Sequence, residues 1–266
     1  MKNLQSSKYL LIISNVIVYA FLLLPLLIIV GISFSPTYGM TFPPEKLSLR
    51  WFKYILGQKE FIQSFYVSLV VAFFTSLFAL TFGVLVSLAI VRYKFRWKIV
   101  IENIFMMPLF LPSVVLGVAI LQFFSIIGYY NFWMRLIIAH IVITIPYTIR
   151  SISSCLYGFN TSLEEASLIM GANRLQTFKN VLAPLIKPGI VAGALLSFII
   201  SFDNITVSLF LIGSRTVTLP VRVMLYLEWN INPSVAAISA ILIALTVITI
   251  IIAEKIVGLG NIMRIE

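Results

Sequence analysis

Hydrophobic runs long enough to cross a bilayer alternate with short polar breaks along the chain, and six such spans can be laid down. About 20 mostly apolar residues, at roughly 1.5 Å each in a helix, cover the hydrocarbon core of a membrane. The first span covers about 9–32. A polar loop follows, SPTYGMTFPPEKLSLRWFKYILGQKE, in which Pro43 and Pro44 break regular structure and Leu47 to Leu56 suit a short interfacial helix. The second span covers about 61–91 and ends in RYKFRWK, four positive charges in seven residues. The third, about 99–127, contains Pro108 and Pro112, which a bilayer tolerates where neighbouring helices or water satisfy the freed carbonyls. After a tight turn from Gly128 to Asn131 comes the fourth, about 132–156, interrupted by Pro146. The fifth covers about 188–212 and the sixth about 235–257, leaving a nine-residue tail. The pattern predicts an all-α, polytopic membrane protein with a single transmembrane domain over 1–266.

One segment departs from this alternation. Between the fourth and fifth spans lies a polar, helix-patterned insert: the loop covers 157–187, and residues 161–189 read TSLEEASLIMGANRLQTFKNVLAPLIKPG. Ser162 and Glu165 form an S-x-x-E capping box, which predicts a helix from about Leu163. Gly171 stands where a left-handed residue ends such a helix. Asn173 can cap a second helix, in which Leu175, Phe178, Val181 and Leu182 share one face. Pro184 and Pro188 are then expected to stop that helix and launch the fifth span.

Composition supports the membrane reading: 61% of residues are hydrophobic and 11% charged, against about 25% charged in a soluble domain. The net charge of +10 does not point to nucleic acid, because the positive residues sit beside the spans and not on one soluble face. They serve better as a topology signal. Six spans place both termini on one side, together with RYKFRWK and the insert. That side carries 12 Lys and Arg against 7 on the other, so both termini and the insert are expected in the cytoplasm. The first segment has no small-residue cleavage pattern, so it reads as a span and not as a removed leader. One cysteine, Cys155, and one histidine, His140, exclude a disulfide framework and a metal site built mainly from these residues. Cys155 reads as a small packing residue, and His140 as a hydrogen-bond donor between helices.

Two short helices between spans can rest on the lipid surface or dock into a groove of a soluble partner. A lipid-lying helix is rich in Lys and Arg, whereas the first helix here carries Glu164 and Glu165 and no basic residue. Docking therefore fits better. Glu165-Ala166-Ser167, three residues, Gly171, nine residues, Val181, one residue, then Ala183-Pro184 resembles the EAA loop of ABC importer permeases, E-A-A-x3-G-x9-I-x-L-P. Ser167, Val181 and Ala183 depart from that form, while the glutamate, glycine and proline are kept. FPPEKLSLRWFKYIL, MPLFLPSVVLGVAIL, SFDNITVSLFL and TLPVRVMLYLEWNINPSVAAIS look like the spermidine/putrescine branch of the same family, in particular its second permease subunit.

The resemblance implies a permease subunit of a binding-protein-dependent importer, with polyamines as cargo. Importers of the same type for amino acids, phosphonates or ferric iron are the alternative. It implies that Glu164, Glu165, Ala166, Gly171 and Pro184 couple to a cytoplasmic ABC ATPase dimer. The other partners it implies are an extracytoplasmic binding protein and a second permease subunit, a heterodimer being expected over a homodimer. The chain has no GxxxxGK[ST] phosphate loop, so energy must come from the partner. No cofactor is implied. An intramembrane enzyme lacks support, since there is no HExxH and no nucleophile motif. A stand-alone proton-coupled carrier would not need the insert, and no internal duplication of three spans is visible.

Asp203 is the acidic residue well inside a span, and Asn204, Thr206 and Ser208 follow it. Inserting a carboxylate there costs about 2.5–3.5 kcal/mol. Two readings stand open: a polar patch on the pathway suited to a cation, or an anchor to His140, Thr144 or Gln122 on a neighbouring helix. Glu228 and Trp229, in the last external loop, would suit an ammonium through ion pairing and cation–π contact. A Trp at that level is more commonly a membrane-edge anchor. Glu102 is expected to pair with the RYKFRWK cluster.

Overall fold

In a computed structural model, the chain is described over residues 2–213, 216–230 and 232–257. Arg215, Arg264 and the nine-residue tail of the sequence reading lie outside these residues. Among the described residues the fold is all-helical, with no strand. Five helical segments are long and apolar enough to cross a membrane: Leu10–Ser33, Lys59–Arg92, Phe132–Tyr157, Arg174–Phe202 and Pro233–Ile252. A bent pair, Lys98–Leu109 with Ser113–Ile126, makes a sixth if it is counted as one.

The chain divides into two compact units. The first comprises 1–62 and 223–245. It contains α1 (Lys2–Ser33), α2 (Arg50–Gly57) and the beginning of α12 (Pro233–Val257). The predicted interfacial helix at 47–56 is α2, which starts three residues later, after Ser48 has bonded its N–H to Phe34 O at 2.8 Å. Trp51 is buried and meets Tyr38 edge-on at 5.1 Å, while the Arg50 guanidinium lies over both rings. Helix α11 (Leu219–Leu227) has no counterpart in the sequence reading, and its Tyr226 packs edge-on against Phe61 at 5.3 Å.

The second unit comprises 63–222 and 246–266. It holds most of α3 (Lys59–Arg92), α4 (Lys98–Met106), α5 (Ser113–Ile126) and α6 (Phe132–Tyr157). After these come α7 (Ser162–Ile169), α8 (Arg174–Thr177), α9 (Ala183–Phe202) and α10 (Thr206–Leu211). Between helices in lipid the hydrophobic effect contributes little, so close packing and interhelical hydrogen bonds hold the bundle. Both are centred on α6. Thr148 Oγ1 donates to Ala79 O of α3 at 3.0 Å, and Ser87 Oγ of α3 donates to Ile149 O at 3.1 Å. On the other side Gly189 and Gly193 let α9 press against α6. A Cβ at Gly189 would stand 2.6 Å from Ser151 O and 3.1 Å from Ile152 Cα. Ser76 Oγ ties α3 to Ala194 O of α9 at 2.8 Å.

The third span is not the continuous helix expected over 99–127. Its halves α4 and α5 bend by 107° around the 3-10 turn Met107–Leu109. Pro108 and Pro112 lack the N–H groups that would carry the ladder through. Buried Met106, Ile145 and Ile149 then hold the bend against α6. Helix α6, in contrast, runs unbroken past Pro146.

Pro184 and Pro188 do not stop the second helix of the insert. A π segment, Phe178–Leu182, joins α8 to α9, and Ala183 N–H reaches Phe178 O. Pro184 follows close on that π segment, in the first turn of α9. The span therefore begins at Arg174 and ends at Phe202, not at 212.

Candidate functional site: the insert and the broken helix

The insert folds as helix, glycine turn and helix, but its start differs from the predicted capping box. Helix α7 begins at Ser162, which is its first residue and not its cap. Asn160 Oδ1, two residues upstream, accepts from Ser162 N–H at 3.1 Å, the bond that a capping box would give to the Glu165 side chain. The other end follows expectation. Gly171 has φ +90°; its N–H donates to Leu168 O at 3.0 Å, and Ala172 N–H donates to Ser167 O at 3.2 Å. That pair of bonds is a Schellman closure, and the positive φ is why glycine stands there. Asn173 Oδ1 accepts from Gln176 N–H while Gln176 Oε1 accepts from Asn173 N–H, both at 2.8 Å, a reciprocal capping box.

The two helices are held to each other and to the bundle by buried groups. Ser167 Oγ and Thr177 Oγ1, both buried, are 3.1 Å apart. Buried Leu182 and Ile186 pack with Ile152 and Leu156 of α6, joined by Phe178 and by Leu88 and Val91 of α3. Leu175, predicted to share the face of Phe178 and Leu182, instead points outward and is exposed. The π segment shifts the face, because it places more residues in one turn than an α-helix does.

The acidic pair of α7 is split. Glu164 turns inward, with Oε1 2.8 Å from Arg92 Nη2 at the end of α3. Glu165 and Ala166 are exposed, as are Ile169 and Met170 at the tip, each 85% accessible. Pro184 is exposed on the first turn of α9. A groove of about 420 Å³ lies beside α7, lined by Arg92, Tyr93, Glu164, Glu165, Leu168 and Arg174 among others. Glu102, on α4, has no ion pair with the RYKFRWK segment; the carboxylate that the segment meets is that of Glu164. Arg92 was visible in the sequence only as a topology charge, since its partner lies on another helix.

The second constellation is a break in the fifth span. Helix α9 ends at Phe202, residues Asp203 to Ile205 leave the helix, and α10 restarts at Thr206. Asn204 restarts it: Oδ1 accepts from Val207 N–H at 2.9 Å, and Ser208 Oγ donates to Asn204 O at 2.7 Å. His140 of α6 is fully buried and bridges the break, with Nδ1 2.8 Å from Ser201 Oγ and Nε2 3.0 Å from Ser208 Oγ. Ser208 has spent its proton on Asn204 O, so Nε2–H donates to it and Nδ1 accepts from Ser201. His140 is thus the interhelix group expected, but its partners are serines. Asp203 is not anchored to His140, Thr144 or Gln122; its side chain is exposed, and no described side chain hydrogen-bonds it. Glu228 and Trp229 belong to the first unit and are exposed, Trp229 at 86%.

Residues 79–257 match the family described as binding-protein-dependent transport system inner membrane component. The chain is 31% identical over 247 residues to the spermidine/putrescine transport system permease protein PotC of Haemophilus influenzae, covering 92% of this chain and 95% of that one. It is 28% identical over 240 residues to the protein of the same name from Escherichia coli K12, covering 90% of each. Its fold is similar to a chain of a bacterial alginate ABC transporter in complex with an alginate pentasaccharide-bound periplasmic protein. The TM-score is 0.72 at 16% identity, over 94% of this chain and 92% of that one.

Proposed function

Because the chain belongs to the family of binding-protein-dependent transport system inner membrane components, we propose that it is the permease subunit of an ATP-driven polyamine importer. It is a multi-pass protein of the bacterial inner membrane. In our reading residues 1–266 form one transmembrane domain of six spans, the bent pair counting as one. Both termini and the insert lie in the cytoplasm, as the distribution of Lys and Arg favours.

The observation that carries the coupling role is the outward tip of α7. Glu165, Ala166, Ile169 and Met170 are exposed beside the Gly171 turn, a short helix offering apolar anchors and one carboxylate to a groove. An ATPase dimer seated there would move α7 and, through α6 and α9, rock the spans between two openings. A second permease subunit completes the pathway, and an extracytoplasmic binding protein delivers the cargo.

The cargo reading rests on the polyamine relatives and on the end of α9. The last-turn carbonyls of a helix carry partial negative charge, and Asp203 adds an exposed carboxylate at the same place. In many secondary transporters the ends of broken helices contact ions within the membrane. With Asn204 beside it, that end suits a cation carrying several ammonium groups. Glu228 and exposed Trp229 offer carboxylate and aromatic face in the outer loop.

The test is ATP-dependent uptake into vesicles holding the whole complex, comparing labelled putrescine and spermidine with amino acids, a phosphonate and ferric iron. Polyamine accumulation is expected. Replacing Glu165 and Gly171 together should abolish uptake and ATPase association, and undisturbed uptake in that variant refutes the coupling role.

A further inference from the structure

The backbone joins the insert to α6 on one side and, through α8, to α9 on the other. Helix α3 has no such link. It ends at Arg92, whose Nη2 stands 2.8 Å from Glu164 Oε1, with the two side chains only 13% and 23% exposed. An apolar contact slides at little cost, but a close ion pair shielded from salt resists separation. The contact is Coulombic and not a hydrogen bond: Arg92 Nε and Nη2 and Glu164 Oε1 are all buried with no hydrogen-bond partner. Withdrawing Glu164 would therefore leave a mostly buried guanidinium uncompensated. Leu88, one turn earlier on α3, lines the same groove as Leu168 and Leu182, which keeps the helix end seated on the insert.

We propose that the Arg92–Glu164 pair is a third mechanical link of the insert, carrying its displacement into α3, so that Glu164 acts inside the chain while Glu165 faces the partner. Both are positioning residues, and the idea rests on the importer reading above. The link explains why one glutamate of α7 turns inward and its neighbour outward. It also gives the insert a hold on all three helices that meet at Thr148.

Two measurements test it. In the reconstituted complex, uptake and ATP hydrolysis are read in the same vesicles for Arg92→Gln, Glu164→Gln, Arg92→Lys and the charge swap Arg92→Glu with Glu164→Arg. Both neutral variants should still bind the ATPase, yet move roughly fivefold less cargo per ATP, the scale of a typical coupling between sites. Arg92→Lys or the swap should recover most of the loss. In the purified full chain, amide exchange over 89–92 should be about tenfold faster in Glu164→Gln, on the same scale. A wild-type ratio in the neutral variants, loss of ATPase binding by Glu164→Gln, absence of any rescue, or unchanged exchange at 89–92 each overturns the link. If exchange responds but the wild-type complex moves no solute with ATP, it is the importer reading that fails and the link that stands.

Discussion

His140 offers the sharpest test of how the broken span is held. It is fully buried, and its ring nitrogens hold Ser201 at 2.8 Å and Ser208 at 3.0 Å, on either side of the Asp203–Ile205 break. Interhelical hydrogen bonds in bilayers average about 0.6 kcal/mol and reach about 1.7. Two of them therefore contribute about 1–3 kcal/mol, which His140→Phe should lose while keeping ring volume. His140→Ala should cost more, about 2–5 kcal/mol, because a buried side chain truncated to alanine adds a cavity to the lost bonds. The assay is SDS-driven unfolding of the purified protein in mixed micelles, followed by circular dichroism. A double-mutant cycle of His140→Phe with Ser201→Ala isolates the pair, and a coupling of about 0.6–1.7 kcal/mol is expected. Additivity within about 0.3 kcal/mol refutes the bridge.

Three further outcomes follow from particular contacts. Gly189→Ala must push its new methyl from 2.6 Å to about 3.4 Å from Ser151 O, prising α9 from α6 at a cost of about 1–3 kcal/mol in the same unfolding assay. Gly171→Ala meets a φ of +90° and should cost about 1–2 kcal/mol, with Gly171→Asn milder; limited proteolysis across 161–177 reads the loosened turn. Asp203→Asn should raise the KM for putrescine about fivefold or more, as expected for removing one charge facing a cation, with ATPase binding unchanged. An unaltered KM removes Asp203 from the pathway.

The features that were legible in the sequence are those fixed by neighbours along the chain. Gly171 and Asn173 act on residues three to five positions away, so their roles could be read from spacing alone. Ser162 is no cap because the helix already includes it, with Asn160 accepting from its N–H; which of several neighbouring polar residues stands at a helix start depends on backbone direction. The break at Asp203 was hidden by averaging: SFDNITVSLFL stays apolar enough to pass as one span, and the halves are set by Asn204 and His140. The 107° bend was announced by Pro108 and Pro112, but its size depends on Met106, Ile145 and Ile149 meeting across helices. Glu102 lies close to the basic run in the sequence, and nearness alone suggests a pair. The carboxylate that run meets lies on α7, and no pattern along one helix could name it.

The π segment at Phe178–Leu182 has a consequence for how this chain could change. Each residue of an α-helix advances the side chains by about 100° around the axis. The wider π turn advances each residue less, so Phe178–Leu182 turns the chain about as far in five residues as an α-helix does in four. The surplus residue is thus absorbed where it stands. Deleting a single residue between Phe178 and Leu182 would restore regular winding and leave Asn173 and Leu175 at nearly the same azimuth. The whole of α7 would stay with them, Glu165 and Ile169 included. The segment is slack in the count: the chain there can lose one residue without re-aiming the insert, whereas the same deletion in a regular turn of α9 would swing it by about 100°.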